Sequence, residues 1–110
     1  MKKGVVVMED RLQLGGNIDL SGFREVDSGS MVILKKIIGN YAKHFSEICD
    51  NFQSLSLTMK PIHADSKAKK FEMHCQVIDN GTVYTGEHVD HNIFFVADRV
   101  CKKVKNEMRR

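Results

Sequence analysis

The chain has 110 residues and a mass of 12.5 kDa, a length that suffices for one domain with a single hydrophobic core and is too short for two. Hydrophobic residues make up 42% of it and charged residues 28%, and its apolar runs are far shorter than the roughly 20 residues that span a bilayer, which excludes a membrane span or a secretory signal. Its three cysteines cannot all pair within one chain and none forms a Cys-x-x-Cys motif, which favours a reducing cytoplasm.

Positive charge is concentrated in two short segments. The formal net charge is +3, from 17 Lys and Arg against 14 Asp and Glu. Residues 99–110 hold six basic residues and one acid, a charge of +5, and residues 60–70 hold four basic residues and one acid, a charge of +3, which leaves −5 for the rest of the chain. Clustered cations suit a polyanion, because each cation that meets a phosphate releases counterions. Lysines that complement the dipole of a helix end are the alternative interpretation.

The first half of the chain predicts an arm, a short strand and a long helix. Residues 1–16 show no sustained period and end in a Gly-Gly pair, so they form an N-terminal arm that is either flexible or an added edge strand. Residues 17–23 contain a short strand closed by a Ser-Gly turn. From about residue 29 to 48, apolar residues recur every three or four positions, as in an amphipathic helix. Three polar residues at its start are able to cap it: Asp27, Ser28 and Ser30.

Three strands and a second helix follow. Residues 52–59 alternate between apolar and polar side chains, and Pro61 is expected to end this strand because proline cannot donate a backbone hydrogen bond. Residues 71–78 alternate again, and an Asn-Gly pair predicts a tight hairpin into a further strand over 82–88. From about Asp90, the expected N-cap, apolar residues at helical spacing predict a helix that runs to the C-terminus.

The order β-α-β-β-β-α after the arm predicts an α+β fold, with residues 17–110 as its single domain. The three consecutive strands are joined by short turns and should pair antiparallel. We expect a four-stranded sheet with both helices packed on its apolar face. The other face would be solvated, with these side chains on it: Ser54, Ser56, Thr58, Glu72, His74 and Gln76.

Several short stretches of the sequence resemble one family of ribosome-binding proteins. They are Ile18-Asp19-Leu20-Ser21-Gly22 in the first strand, Tyr41-Ala42-Lys43-His44-Phe45 in the first helix, Thr85-Gly86-Glu87-His88-Val89-Asp90 in the fourth strand, and Ala97-Asp98-Arg99-Val100-Cys101-Lys102-Lys103-Val104-Lys105 in the last helix. In this order, over about residues 17–108, they resemble the ribosome hibernation promoting factor and ribosome-associated inhibitor A (protein Y) family. The resemblance is to the short form, which has no additional C-terminal dimerisation domain.

This resemblance implies a fold topologically akin to a double-stranded-RNA-binding domain. It also implies that the protein binds ribosomal RNA of the small ribosomal subunit, in the channel where messenger and transfer RNA would sit. Such a protein is a cytoplasmic translation regulator that inhibits or protects idle ribosomes under stress or in stationary phase.

The resemblance and the charge pattern together select candidate RNA-binding residues. The residues that match the family's last helix are Arg99, Lys102, Lys103 and Lys105. By position in the first helix, further candidates are Lys35, Lys36 and Lys43. Charge alone adds three residues of a loop: Lys67, Lys69 and Lys70. The chain has no Trp, and four of its phenylalanines are expected in the core: Phe45, Phe71, Phe94 and Phe95. Few aromatic rings are then left to stack on bases, so we predict that the protein recognises the shape of RNA.

Two other functions stay open. One is a domain that binds structured RNA without any role at the ribosome. The other is a small metal-binding or substrate-binding enzyme built around His74, His88 and His91, since imidazoles are common zinc ligands. Against it, neighbouring residues such as His74 and Cys75 should point to opposite sides of a strand, and the sequence shows neither a nucleophile motif nor a glycine-rich loop that opens a helix. We therefore expect no enzyme activity, cofactor, metal, small-molecule substrate or membrane partner.

Overall fold

A computed structural model describes residues 11–15, 17–63 and 69–109. The elements in chain order are strand β1 (Arg11–Leu14), strand β2 (Ile18–Ser21), helix α1 (Ser28–Ile48), strand β3 (Phe52–His63), strand β4 (Lys69–Asp79), strand β5 (Thr82–Asp90) and helix α2 (Ile93–Met108). The class is α+β, as the sequence predicts. No helix among these residues has the length and apolar character needed to cross a membrane.

The sheet has five strands rather than the four expected from the sequence. They lie side by side in chain order, with β2 and β3 parallel and the other neighbours antiparallel. The additional strand is β1, in the part of the arm for which an edge strand was one of two alternatives. Its alternating leucines explain the pairing, because Leu12 lies opposite Leu20 and Leu14 lies opposite Ile18. Residues 1–10 of the arm lie outside the described residues.

Strand β3 does not end at Pro61, so the expected break there is wrong. Pro61 pairs with Phe71 of β4, and β3 continues to His63. On its other side, β3 pairs with β2 from Leu55 to Thr58. Beyond Thr58 that side of β3 is an edge, where a residue without a backbone N–H removes no ladder hydrogen bond.

Both helices begin at a capping side chain. The Asp27 carboxylate accepts a hydrogen bond from the Ser30 backbone N–H at 2.9 Å, which caps α1. The cap of α2 is Asn92, whose Oδ1 accepts from the N–H groups of Phe94 and Phe95 at 2.9 and 3.1 Å. Asp90, the cap expected from the sequence, is instead the last residue of β5, and the helix starts later than predicted.

One hydrophobic core lies between the two helices and one face of the sheet. Its strand residues alternate along the central strands, as in Leu55 and Leu57. Gly86 of β5 allows α2 to lie directly on the sheet, because a Cβ there would be 3.2 Å from Val104 Cγ2 and 3.3 Å from the Val100 carbonyl oxygen. Two of the three free thiols, those of Cys75 and Cys101, are buried in this core, and the third is half-buried.

The opposite face of the sheet is open to solvent. Polar side chains of the central strands lie there, as predicted: Ser54, Ser56, Thr58, Glu72, His74 and Gln76. We call this surface the open face.

Candidate nucleic-acid interface

Helix α2 buries one side and exposes a row of aromatic, polar and cationic residues on the other. Val96, Val100 and Val104 are fully buried in the core. The exposed residues recur every three or four positions along the helix, and we call them the α2 stripe: Phe95, Arg99, Lys102, Lys103 and Asn106. At a rise of 1.5 Å per residue, the stripe is about 16 Å long.

Two cations of the stripe are held in place by neighbouring groups. The guanidinium carbon of Arg99 lies 4.3 Å from the centroid of the Phe95 ring, within the range of a cation–π interaction. The Lys103 ammonium donates a hydrogen bond to the Glu87 backbone carbonyl at 2.8 Å, which ties α2 to the adjoining edge strand β5. These contacts orient the cations before any ligand arrives, which lowers the entropy that binding would cost.

His88 of β5 adjoins the same group. Its ring centroid is 6.4 Å from that of Phe95, in an edge-to-face arrangement. Burial lowers the pKa of His88, and the nearby charge of Lys103 lowers it further, against an opposing effect of Asp90, whose Oδ2 is 4.0 Å from Nε2. His88 therefore lies between the positive charge of Lys103 and the carboxylate of Asp90.

Four ion pairs join described residues within 4.0 Å, and Arg99, Lys102 and Lys103 belong to none of them. Arg11 pairs with Asp19 at 3.6 Å, and the remaining pairs are those of His74 and His88. Exposed cations attract mobile anions from the solvent, and phosphates can replace those anions with a gain in entropy.

Helix α1 packs beside α2 through a partly buried hydrogen bond. The Tyr41 hydroxyl donates to Asp98 Oδ1 at 2.9 Å, and both burial and the Asp98 charge raise the pKa of Tyr41, so the phenol stays a neutral donor. The three candidate lysines of α1 are exposed on this helix: Lys35, Lys36 and Lys43. They contribute positive charge to the same layer of the fold as the stripe.

The remaining candidates from the sequence do not form one group. Lys105 is half-buried in the last turn of α2, where its charge complements the helix dipole. Lys69 lies at the start of β4, with its ammonium 5.9 Å from the Phe71 ring centroid. Lys70 has the strand parity of the open face, so it is directed away from the helices. Lys67 lies outside the described residues.

A cleft of about 560 Å³ lies at the sheet edge where both helices begin. Three basic residues line it, Arg24, Lys60 and Lys69, together with two acids. Sequence reasoning did not select Arg24 or Lys60 as site residues. The strand directions explain why these residues lie together. Strands β2 and β5 run in the same direction, so the chain leaves both strands toward a helix at this edge of the sheet.

A second group of ionisable side chains lies on the open face. His74 Nε2 is 2.5 Å from a Glu72 carboxylate oxygen, and its Nδ1 is 3.2 Å from one of Glu87. The three side chains each offer a metal-ligand atom, and these atoms lie within 4.8 Å of one another. They are the described residues best able to hold a divalent cation. The alternation of the strand placed Glu72 and His74 on one face, but the pairing of His74 with Glu87 is visible only in the strand register.

The histidine set considered for a metal-dependent enzyme is not brought together. His74 is on the open face, whereas His88 is on the helix side against Phe95. His91 follows β5, with its Nδ1 3.3 Å from the Lys69 carbonyl oxygen. A site that needs all three imidazoles at one point is therefore not formed by these residues.

No family model matches the sequence, and a search of curated proteins finds no match. The resemblance to the ribosome hibernation promoting factor family therefore stays a prediction, carried by the sequence stretches and their order.

Proposed function

We propose that the protein binds ribosomal RNA of the small ribosomal subunit and thereby inhibits or protects idle ribosomes. The observation that carries the proposal is the α2 stripe, in which three exposed cations follow one side of a helix and are directed at solvent. On the open face, by contrast, the carboxylates of Glu72 and Glu87 both contact the His74 ring.

The stripe favours a structured polyanion over a small anion. Its three cations span about 6 Å of the helix axis, against about 3.4 Å of axis per phosphate of one strand, so they can meet two or three phosphates where a single bound anion would need fewer cations. Each such contact releases counterions, so the logarithm of the binding constant falls as the logarithm of the salt concentration rises. The slope of this line is about 0.7 to 0.9 per contact. Lysine and arginine contacts to phosphate recognise the shape of an RNA helix without reading its bases.

The choice of the small subunit rests on the resemblance and is supported by the element order. After β1, the chain runs β-α-β-β-β-α, which is the order that the resemblance implies. Three of the four residues carried over from the family's last helix are exposed members of the stripe: Arg99, Lys102 and Lys103.

Co-sedimentation with separated small and large ribosomal subunits, at about 50 and about 200 mM salt, tests the proposal. We expect stoichiometric pelleting with the small subunit, weakened at the higher salt, and none with the large subunit. Equal weak binding to both subunits would favour a general structured-RNA-binding domain. Absence of binding to either at low salt would refute RNA binding altogether.

A pair of charge-matched variants tests whether the stripe is the binding surface. Lys102→Gln with Lys103→Gln, and Gln76→Glu with Val83→Glu, each lower the net charge from +3 to +1, the first on the stripe and the second on the open face. We expect the first pair to weaken binding by roughly tenfold or more and to reduce the salt slope by about 2. The second pair should bind nearly as the unmodified protein does. An equal loss in both would mean that net charge, not the stripe, governs binding.

A further inference from the structure

Phe95 is exposed, which corrects the expectation that it belongs to the core. Its side chain is 41% exposed and is absent from the buried cluster, whereas its neighbour Phe94 is partly buried against that cluster. Successive residues of a helix are rotated by about 100°, so the two rings cannot both face the sheet. Phe95 is the aromatic member of the α2 stripe, and the core does not account for its position.

The surroundings of Phe95 make it a stacking surface within a positive field. The Arg99 guanidinium covers the ring at 4.3 Å and is itself exposed. The His88 ring meets Phe95 edge-on, and Lys103 is fixed one helical turn beyond Arg99 by its bond to the Glu87 carbonyl. The guanidinium therefore lies over the Phe95 ring, and both groups remain exposed at the start of a row of cations.

We propose that Phe95 and Arg99 form a binding site for one unpaired nucleobase of the RNA, in a bulge or at a flipped-out nucleotide. This inference rests on the proposed function and specifies the RNA that the stripe takes. A base has a flat π face for the Phe95–Arg99 pair, and its flanking phosphates meet Lys102 and Lys103. An apolar peptide would match the ring and leave the cations unpaired.

The site accepts one base rather than a run of bases. Platforms for single strands use several aromatic rings, on which successive bases stack. Here the stripe holds one ring, followed by three cations over about 6 Å of the helix axis. The cations are suited to the backbone of an adjoining RNA helix, and the ring to a single base that leaves that helix. Stacking of one base on an aromatic side chain raises affinity by roughly 5-fold to 150-fold.

Three RNA hairpins of identical length test the site. The first has a fully paired stem, the second has one bulged 2-aminopurine in the stem, and the third has an abasic nucleotide at the bulge. We expect the protein to bind the second about tenfold more tightly than the other two. The fluorescence of the 2-aminopurine should change on binding, because a stacked base is in a different environment from a solvated one.

Two substitutions separate stacking from apolar contact. Phe95→Leu retains an apolar side chain without a π face and should abolish the preference for the bulged base, while binding to the paired hairpin stays within about twofold. Phe95→Tyr retains the ring and should preserve the preference. Thermal unfolding of both variants controls for changes in the fold, which are expected to be small at an exposed position.

The outcomes distinguish this inference from the proposed function. If the protein binds all three hairpins equally and Phe95→Leu changes nothing, the base site is refuted, while salt-sensitive binding lost in Lys102→Gln with Lys103→Gln would still support RNA binding. If the abasic hairpin binds as tightly as the bulged base, the protein recognises the distorted backbone, and the base site is again refuted. If no hairpin binds at low salt, both proposals fail.

Discussion

The α2 stripe and the Glu72–His74–Glu87 group of the open face are both solvent-exposed, but their charges are arranged in opposite ways. On the open face, His74 lies between the carboxylates of Glu72 and Glu87, and hydroxyl and amide side chains surround the group. On the stripe, Arg99 contacts an aromatic ring and Lys103 a backbone carbonyl, so their positive charges stay uncompensated by those contacts. The comparison teaches that a surface suited to a polyanion is recognised by what its charged groups contact, more than by how many charged groups it has.

The largest effect on stability is expected from changing Gly22, in the turn between β2 and α1. The stripe and the open face are distinct surfaces only while the helices cover one face of the sheet, and this turn leads the chain from β2 into α1. Gly22 has a φ of +84°, and a Cβ there would lie 2.1 Å from the Met59 carbonyl oxygen. Gly22→Ala should lower the free energy of unfolding by about 3 kcal/mol or more, because a backbone clash adds to the strain of positive φ. Thermal unfolding should show a midpoint lowered by about 12 °C or more.

Gly15→Ala is the matched control for that substitution. Gly15 also has a positive φ, +58°, but a Cβ there would meet no atom within 4 Å. The loss should therefore be limited to about 1 kcal/mol of backbone strain. Equal losses at the two glycines would show that contact with Met59 does not constrain the turn.

Breaking the contact between the helices is expected to have the next largest effect on stability. Tyr41→Phe removes the hydroxyl that donates to Asp98 and should cost about 1 kcal/mol, measured by chemical denaturation. Because burial and Asp98 raise the pKa of Tyr41, the unfolded state loses this proton first as pH rises above about 10, and stability should fall there. The variant should show a weaker fall above that pH. A double-mutant cycle with Asp98→Asn should give a coupling near zero if the contact has no energetic role.

A gain of binding sharpens the comparison between the two surfaces. Asn106→Lys on the stripe and Gln76→Lys on the open face each raise the net charge from +3 to +4. The first should strengthen RNA binding by roughly threefold to tenfold and raise the salt slope by about 1. The second should change affinity by less than about twofold, because the molecule is 23 Å thick along its shortest axis and charges are screened over about 8 Å at physiological salt. Equal gains, measured by fluorescence anisotropy, would contradict the distinction between the surfaces.

The smallest expected effect is on the titration of His88. Burial and the charges of Lys103 and Arg99 lower its pKa below 6.5, against the opposing charge of Asp90. NMR titration should therefore give a value under 6.5, and Lys103→Gln should raise it. Since the unfolded imidazole binds a proton more readily than the folded one, the contribution of His88 to stability should decline as pH falls below about 6.5. A pKa unchanged by Lys103→Gln would show that the lysine does not act on this edge of the sheet.

The parts of the fold that depend on local pattern could be predicted from the sequence. The three-and-four spacing predicted α1 over about 29–48, against Ser28–Ile48 observed, and the Asn-Gly turn placed the hairpin between β4 and β5. Elements that depend on neighbouring strands could not be predicted in this way. The continuation of β3 through Pro61 depends on β2 pairing with it no further than Thr58, which the local sequence does not reveal.

The candidate site was partly contained in the sequence. The cations of α2 follow from charge clustering, but which of them face solvent depends on the helix start, and Asn92 rather than Asp90 sets that start. The exposure of Phe95 follows from the same helical period that buries Val96 and Val100, because position 95 lies on the opposite side of the helix. The aromatic side chain of Phe95 suggested that it is buried, whereas the helical period of α2 indicates that it is exposed, as the structure shows.

Cys101 is buried on the side of α2 that faces the sheet, so its reaction with a thiol reagent can report how often the two separate. Its thiol lies against that of Cys75, and this contact and burial raise the pKa of Cys101 well above its ordinary value. A thiol reagent can reach either sulfur only after the helix separates from the sheet, whereas Cys49 is half-buried near the surface and has a pKa raised to about 11 by burial. The rate at which Cys101 is alkylated therefore reports how often α2, with its row of cations, lifts from the sheet in the native protein, without any introduced label.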